Sequence, residues 1–413
     1  MVEDEGMLLA SSAAAVVTMN GSGEGNTSYD NNSNFQRAIA SVTRKARRDM
    51  AAALYRAPGR PASLAIADMG CATGPNAQLM VSDAVDAVLA ESKGGGDEEA
   101  PQLHVSLDDL PANDFNAVFR LLPSSPLTGT GCLVSAWPGS FYRRVFPEAS
   151  LDYVVSSSSL HFLSKVPYVR TGTASHTSIV SSTMHAGYSQ LTATVMHLNR
   201  GRVHVTEAGP AAVLDAYRAQ FHADFLAFLS CRAAETRPRG LLLLTFVARR
   251  DARPTAHDCY LWDLLADALM DMAAAGLVDE EKVHSFNAPY YAPCPDDLPR
   301  VIAEEGSFAL RTMQLFDTTR RHLLGPSHPT SNKHDGGDGG DDDEELPRWL
   351  AAETAATVRE VVEPMLRTHF GWAAMNGFFC KHRLLLEAYY RSKSTRNKDD
   401  ITNVFLLLKK QRY

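Results

Sequence analysis

A strand-like apolar segment that runs into a glycine turn is the feature of this sequence that most directly suggests chemistry. Residues 64–67 are apolar, Asp68 follows them, and a turn then holds Gly70 and Gly74. A helical pattern begins near Gln78, so the order is strand, glycine turn and helix. Glycines in such a turn let bare backbone approach a nucleotide-like ligand. The spacing D-x-G-x-x-x-G differs from the G-x-G-x-x-G of dinucleotide-binding proteins.

Motifs for several other chemistries are absent from the sequence. It contains neither the G-x-S-x-G pattern of a serine nucleophile nor the H-E-x-x-H pattern of a zinc site. The cysteines form no C-x-x-C pair, which argues against a zinc knuckle or a redox pair. Scattered free thiols indicate a reducing compartment. The cysteines are Cys71, Cys132, Cys231, Cys259, Cys294 and Cys380.

Charge and hydropathy describe an ordinary globular protein. The net charge is -8, with 45% hydrophobic and 21% charged residues, and much of the negative charge lies in the stretch 335–345. The near-neutral remainder gives no reason to expect a nucleic acid partner. No apolar run reaches membrane-spanning length, and Glu3, Asp4 and Glu5 stand where a signal peptide needs positive charge. We therefore expect a cytoplasmic protein without a membrane partner, preceded by a disordered extension at residues 1–18.

The elements that must position the glycine turn follow an α/β order. Residues 35–56 place apolar side chains at helical spacing, and residues 103–107 alternate as a second strand. Residues 151–155 and 241–247 are further apolar strands, and a clear helix at 209–236 lies between them. Strands separated by helices predict an α/β sheet with helices on both faces. The helix carries one aromatic stripe that we interpret as a core face: Leu214, Tyr217, Phe221, Phe225 and Phe228.

The pattern changes beyond residue 261. Helical segments at 261–275 and 350–367 are joined by loops, and nothing there resembles another parallel strand unit. This predicts a mainly helical cap, residues 261–399, inserted before a last strand at 404–408. Residues 325–347 are acidic and glycine-rich, with too few apolar groups to offset the entropy of ordering, and they predict a disordered loop within the cap.

Several segments match one protein family in the same order along the chain. They are 19–29 with Asn32-Ser33 and Gln36, the D-x-G-x-x-x-G turn, 109–116, 138–142 with 146–147, 159–167, 285–290 and 363–371. Together they closely resemble the plant SABATH family of S-adenosylmethionine-dependent carboxyl methyltransferases. Its members methylate salicylate, benzoate, jasmonate, indole-acetate and related acids and, in one branch, xanthine nitrogens. The resemblance implies a Rossmann-like methyltransferase sheet with helices on both faces, topped by the cap.

For the methyl donor, the resemblance implies a site at the ends of the first strands. Asp109 would accept hydrogen bonds from the ribose hydroxyls, and Asp68 would meet the ammonium of the methionine part. Phe141 would stack on adenine while Ser140 bonds near its edge. Asp108 is expected to be a solvated neighbour. The implied cofactor-binding residues are Tyr29, Asp68, Cys71, Asn76, Asp109, Leu110, Ser140 and Phe141.

For the acid, the resemblance implies contacts from Gln36, Ser158, His161 and Phe162. Gln36 matches a position whose amide holds the substrate carboxylate. His161 and Phe162 stand where the family usually has His-Trp, and phenylalanine lacks the indole N–H that donates to the carboxylate. Ser158 replaces a common tyrosine, which enlarges the pocket. Because carboxylic acids ionise near pH ~4, we expect catalysis by alignment and water exclusion, with no catalytic base.

The resemblance also implies two partners. Parts of the family carry magnesium, at positions that match Asn199, His284, the Phe286 carbonyl and Asn287. His284 stands where the family usually has an acid, and magnesium prefers oxygen ligands, so the sequence leaves magnesium binding open. A homodimer is the other implication.

Residues 168–198 make a connection longer than the family's. The segment is rich in Ser, Thr and His and directly follows the residues matched to the substrate pocket. Its histidines at 176, 185 and 197 lack metal-ligand spacing, which favours an exposed loop.

The sequence thus predicts a carboxyl methyltransferase for a small, largely apolar or aromatic acid, with a core at residues 19–260 and 400–413. Two alternatives stay open. One is an N-methyltransferase of a purine-like heterocycle, since Phe162 and Ser158 weaken the case for a carboxylate somewhat, although Gln36 supports it. The other is a homologue that binds the donor or an acid without turnover, which the altered pocket and the long connection suggest.

Overall fold

The computed structural model describes residues 34–58, 60–95, 99–167, 198–319, 342–395 and 398–411. The predicted extension at 1–18 lies outside the described residues, as does the long connection except for Leu198. Most of the predicted loop at 325–347 lies outside them too. Its last residues correct the predicted boundary, because a helix already begins at Asp342.

One sheet forms the centre of the fold. Its strands are β1 (Ser63–Met69), β2 (Gln102–Asp109), β3 (Leu133–Pro138), β4 (Leu151–Ser157), β5 (Thr236–Val247), β6 (Phe308–Thr319) and β7 (Asp400–Lys410). Their order is β3-β2-β1-β4-β5-β7-β6. β1 to β5 are mutually parallel, and β7 pairs antiparallel with both β5 and β6. The order reverses between β1 and β4, and open α/β sheets bind ligands at the carboxyl ends of the strands beside such a switch point.

Helices cover both faces of this sheet, as predicted. They are α1 (Asn34–Arg56), α2 (Pro75–Gly94), α3 (Phe115–Leu121), α4 (Ala211–Glu235), α5 (Ala256–Ala274), α6 (Glu280–Ser285), α7 (Asp297–Glu305), α8 (Asp342–Phe370) and α9 (Trp372–Arg391). α1 and α2 share one buried apolar cluster with the sheet, and α4 and α7 share the other. All five residues of the α4 stripe are buried in that second cluster, so the stripe is a core face. α5, α8 and α9 pack together in a third cluster.

Two strands escaped prediction from the sequence, and both lie at an edge of the sheet. β3 is half-exposed along its length, and Leu133 is 53% exposed. β6 falls inside the range predicted as cap, yet it pairs with β7 from Phe308 to Thr319. An edge strand is covered incompletely, so its sequence lacks the continuous apolar run that revealed β5.

Local signals explain where several of these helices begin and end. α5 starts with a reciprocal capping box, in which the side chains of Thr255 and Asp258 each accept from the other's backbone N–H. α7 ends at Gly306, whose φ of +80° is the left-handed conformation common at helix ends. Among the described residues, every helix is too short or too polar to span a lipid bilayer.

Candidate active site

The glycine turn after β1 is built on the backbone of β2. The N–H groups of Gly70 and Cys71 donate to the carbonyl oxygen of Asp108 over 2.9 and 3.0 Å. Gly70 has a φ of +85°, and a Cβ there would lie 2.3 Å from Ser159 Oγ and 3.5 Å from the Phe141 ring. Both the backbone conformation and the lack of space therefore require glycine. The same close approach brings the turn against Ser159, next to the predicted substrate residues.

Asp109 stabilises this turn through hydrogen bonds to the backbone. Its two carboxylate oxygens accept hydrogen bonds from the N–H groups of Ala72 and Leu110, each over 2.7 Å. Its carbonyl oxygen accepts from the N–H of Gly139 over 2.8 Å, which ties β2 to the segment beginning at Ser140. Each carboxylate oxygen keeps a second lone pair, so Asp109 can also accept from the hydroxyls of a ligand.

Three carboxyl groups meet at the ends of β1 and β2. Burial raises the pKa of Asp68 to about 8, and repulsion from Asp109 adds to the rise while Arg47 opposes it. Burial likewise raises the pKa of Asp108 to about 8 against the opposing charge of Arg232. Burial also raises the pKa of Asp109. A cationic ligand would favour the ionised forms of this acidic cluster.

Asp108 is buried, which corrects the expectation that it is solvated. It has no exposed surface, and neither carboxylate oxygen has a hydrogen-bond partner among the described residues. Side chains alternate across a strand, so Asp108 points to the opposite face from Asp109. That face is covered by α4, whose Arg232 is the main opposite charge acting on Asp108.

The other residues predicted for the donor are spread around the turn. Cys71 lies within it, and burial raises the pKa of its thiol well above the ordinary value, so the thiol stays protonated and is no nucleophile. Asn76 follows in the first turn of α2. The Phe141 ring packs edge-on against Phe228 of α4, with centroids 6.0 Å apart. Tyr29 lies outside the described residues.

An apolar cavity of about 110 Å³ lies beside the turn. All four residues predicted for the acid line it: Gln36, Ser158, His161 and Phe162. Ser158 precedes Ser159, whose hydroxyl donates to the carbonyl oxygen of Gly70 over 3.2 Å. The cap supplies much of the remaining wall, through Leu261, Trp262 and Leu265 of α5 and Val358, Val361 and Val362 of α8. These cap residues were missed because apolar residues at helical spacing do not distinguish a cavity wall from a packed core.

His161 is the best-defined polar group of the cavity. The N–H of Val247 donates to its Nδ1 over 3.1 Å. Because a backbone N–H can only donate, Nδ1 is the acceptor and the ring proton lies on Nε2. Burial lowers the pKa of His161 to about 3, so the ring is neutral. His161 therefore offers a ligand an N–H donor without a charge.

Gln36 and Ser158 add further polar atoms to the cavity. Gln36 Oε1 and Ser158 Oγ are both buried and have no hydrogen-bond partner among the residues described. Ser158 also has a φ of +59°, a strained conformation for a residue other than glycine. Buried polar groups are normally paired, so a ligand would be expected to pair with Ser158 Oγ, which can donate or accept, whereas Gln36 Oε1 can only accept.

Phe162 is held firmly at the cavity wall. It forms an isolated antiparallel bridge with Tyr290, and the two rings pack edge-on with centroids 5.7 Å apart. Its carbonyl oxygen accepts a hydrogen bond from the Tyr142 hydroxyl over 2.6 Å. The ring is therefore an apolar surface in a fixed position.

The side chains at three of the four positions predicted for magnesium are engaged in two separate sets of hydrogen bonds. Asn199 Nδ2 donates to Asn287 Oδ1 over 2.7 Å, and Gly201 N–H donates to His284 Nδ1 over 3.0 Å. The Phe286 ring is buried in the apolar cluster of the cap. No group of three His, Cys, Asp or Glu side chains suited to a metal occurs in the described part of the chain. Magnesium prefers oxygen ligands, and the oxygen of Asn287 already faces an amide donor, so these residues do not fit the ion and the magnesium prediction is unsupported.

Known proteins resemble this chain over nearly its whole length. A family model described as SAM dependent carboxyl methyltransferase matches residues 14–411. The chain is 36% identical to a jasmonate O-methyltransferase of Arabidopsis thaliana, over 91% of this chain and 94% of that protein. It is 35% identical to a salicylate carboxymethyltransferase of Clarkia breweri, over 88% of this chain and 90% of that protein. A solved structure titled loganic acid methyltransferase with SAH is similar to it with a TM-score of 0.75 and 27% identity, covering 95% of this chain and 99% of that one.

Proposed function

Because this chain belongs to the family of S-adenosylmethionine-dependent carboxyl methyltransferases, we propose that it esterifies a small, largely apolar acid held in the cavity beside Gln36 and His161. One observation carries the proposal. A single cavity collects all four residues predicted for the acid, next to the glycine turn predicted for the donor. Its remaining walls are mostly apolar, which suits a benzenoid, jasmonate-like or indole-acetate-like acid.

The proposed reaction is an in-line displacement. S-adenosylmethionine, when bound, supplies the methyl group on a sulfonium, and a carboxylate oxygen of the acid forms the new bond as the bond to sulfur breaks. The carboxylate is ionised at neutral pH, so the protein has no proton to remove. The amide of Gln36 and the Nε2–H of His161 orient it by donating hydrogen bonds, and the apolar walls exclude water.

We propose that the acidic cluster receives the cationic side of the donor. Asp68 would pair with its ammonium, and Asp109 would accept from its ribose hydroxyls while still holding Ala72 and Leu110. Phe141 would stack on the adenine. Cys71, Asn76 and Ser140 would complete this site. An ammonium beside Asp68 would lower the raised pKa of this carboxyl group and favour its anion, so the position suits a cationic group.

A methyl-transfer assay with labelled donor tests the proposal. The panel contains benzoate, salicylate, jasmonate, indole-acetate and xanthine, and each product is treated with mild base. We expect a base-labile ester from at least one acid. A base-stable product from xanthine alone would favour the N-methyltransferase, and binding of S-adenosylhomocysteine without any product would favour the non-catalytic homologue.

A variant of Gln36 tests the substrate site within the same assay. Gln36→Leu keeps the size of the side chain but removes its amide. We expect kcat/KM for the acid to fall by about 10- to 100-fold, the worth of a hydrogen bond to a charged group. The affinity for S-adenosylhomocysteine should not change. An equal loss of donor affinity would contradict the assignment of Gln36 to the acid.

Three broader expectations are also proposals. The helices α5, α8 and α9 of the predicted cap at residues 261–399, without β6, which belongs to the sheet, would close the cavity, and limited proteolysis with and without ligands tests it. The family resemblance supports a homodimer, which light scattering on the purified protein tests. Six free cysteines support a cytoplasmic location, which a fluorescent fusion tests.

A further inference from the structure

The last turn of α4 contains a buried ion pair. Arg232 and Glu235 have no exposed surface, and Arg232 Nε donates to Glu235 Oε2 over 2.7 Å. The two residues continue the aromatic stripe after Phe228 at steps of four and three, so the pair stands on the core face of the helix. Burying two charges is costly, and it is tolerated when their remaining hydrogen-bonding groups are satisfied.

One irregular segment, residues 141–146, satisfies these groups through its backbone. Arg232 donates through Nη1 and Nη2 to two carbonyl oxygens, and Glu235 Oε1 accepts from two N–H groups. The Arg232 guanidinium also lies over the Phe228 ring, 5.2 Å from its centroid. The four backbone bonds are to Phe141 O (2.9 Å), Arg143 O (3.0 Å), Val145 N (2.7 Å) and Phe146 N (3.0 Å).

This segment touches both parts of the candidate site. Phe141 lies against the glycine turn, where a Cβ on Gly70 would come within 3.5 Å of its ring. The next residue, Tyr142, donates its hydroxyl to the carbonyl oxygen of Phe162 in the cavity wall. Two side chains of α4 thus hold the piece of chain that joins the donor site to the acid site.

We propose that Arg232 and Glu235 are positioning residues for the methyl donor, and that they act by fixing the backbone of residues 141–146. The inference rests on the proposed function, because it takes Phe141 as the surface on which adenine stacks. A segment already ordered before binding loses less conformational entropy when the ligand arrives, so the pair would raise affinity for the donor without touching it. Through Tyr142, the same pair would set the position of Phe162.

A double variant separates this role from a purely structural one. Arg232→Met with Glu235→Leu replaces the ion pair by apolar side chains, a change that often leaves stability unaltered or improved. Four backbone groups of residues 141–146 lose their partners in this variant, so we expect a melting temperature below that of wild type in a protein that is still folded at 25 °C. The Kd for S-adenosylhomocysteine should rise about 10- to 100-fold, because residues 141–146 must then be ordered when the ligand binds. KM for S-adenosylmethionine should rise more than kcat falls.

Arg237→Met provides the matched control. Arg237 lies two residues beyond the pair, donates to the carbonyl oxygen of Ala149 over 3.0 Å and pairs with Asp152 over 2.5 Å. These contacts lie before and within the first residues of β4, at the amino end of the strand, whereas the proposed donor site lies at the carboxyl ends. The control should bind S-adenosylhomocysteine with wild-type affinity.

Glu235→Gln decides the question if the double variant does not fold. Its amide can still accept from Val145 and Phe146, but it no longer neutralises Arg232. A folded Glu235→Gln protein should bind S-adenosylhomocysteine more weakly by about 3- to 10-fold, the worth of a charge-assisted bond. Wild-type affinity in whichever variant folds would refute the positioning role. Failure of the wild-type protein to bind S-adenosylhomocysteine would instead refute the proposed function.

Discussion

The backbone N–H of Val247 donates to Nδ1 of His161 over 3.1 Å, and this bond determines which polar group the ring presents to the cavity. It places the ring proton on Nε2, and burial keeps the ring neutral. The cavity therefore has an N–H donor beside Gln36 even though Phe162 supplies none. Val247 is the last residue of β5, so the central sheet itself orients the His161 ring.

His161→Ala should lower kcat/KM for the acid by about 10- to 100-fold, because a donor to a charged group is lost. The affinity for S-adenosylhomocysteine, measured by calorimetry, should be unchanged. Since burial lowers the pKa of His161 to about 3, the pH profile of kcat/KM for the acid should show no histidine ionisation between about pH 5 and 8. A transition near pH 6.5 that disappears in His161→Ala would contradict the neutral-donor role.

Donor binding should strengthen as the pH rises toward 8. The Asp68 carboxyl has its pKa raised to about 8 by burial and must lose a proton before it can pair with an ammonium. Affinity for S-adenosylhomocysteine should therefore improve roughly tenfold per pH unit between about pH 6 and 8 and level off above that range. Calorimetry in buffers of different ionisation enthalpy should detect release of one proton.

Two asparagine variants assign that proton. Asp68→Asn should bind weakly at every pH and lose the slope. Asp108→Asn should keep the slope, because Asp108 points to the face of α4. If the slope disappears in Asp108→Asn instead, the titrating group is Asp108.

Phe162→Trp should raise kcat/KM for an acid substrate by about 3- to 10-fold, since an indole N–H adds a hydrogen bond to the carboxylate. The aromatic contact with Tyr290 can be kept, because tryptophan also presents a ring edge. Phe162→Leu is the control, which removes the ring without adding a donor and should lower the rate. An unchanged or lower rate for Phe162→Trp would show that His161 and Gln36 already suffice.

His382→Leu should stabilise the protein. His382 has no exposed surface, and neither ring nitrogen has a partner among the described residues. Removing two unpaired polar atoms should raise the free energy of unfolding by about 1–3 kcal/mol at pH 7, as measured by denaturant titration. His222→Leu, in which a 37% exposed ring loses a hydrogen bond with Glu304, is the control and should change stability little.

The stabilisation by His382→Leu should grow in acid. Burial lowers the pKa of His382 from 6.5 to about 3, so between these values the unfolded chain binds a proton that the folded protein does not. Stability is therefore lost as the pH falls below 6.5, by about 2 kcal/mol at pH 5 for this group. A variant without the histidine escapes that loss. An advantage that is the same at pH 5 and pH 7 would mean that His382 is not held neutral.

Removal of divalent metal should leave methyl transfer unchanged. The amide oxygen of Asn287 accepts from Asn199, and Nδ1 of His284 accepts from Gly201, so these groups are engaged within the protein. Activity after dialysis against EDTA should equal that of the untreated enzyme, with and without added MgCl₂. A loss on dialysis that MgCl₂ restores would show that an ion rearranges this cluster.

The elements that could be predicted are those in which a whole strand or one whole helix face is buried. β5 is covered on both faces and reads as an apolar run, and the α4 stripe is buried along its length. β3 and β6 could not be predicted, because edge strands alternate weakly between core and solvent. The same stripe held a signal that was overlooked, since Arg232 and Glu235 continue its spacing and are therefore buried charges.

By itself, the sequence determined the family and the glycine turn and predicted four residues for the acid, because these depend on residue types at fixed positions along the chain. Only the tertiary structure decided the surroundings of those residues. The proton on His161 is placed by the N–H of Val247, 86 residues away along the chain. The burial of Asp108 and the hydrogen bonds from α4 to the backbone of residues 141–146 likewise arise from packing between distant elements. Hydrogen-bond partners and local dielectric depend on what surrounds a group in space, and no local pattern of residues encodes them.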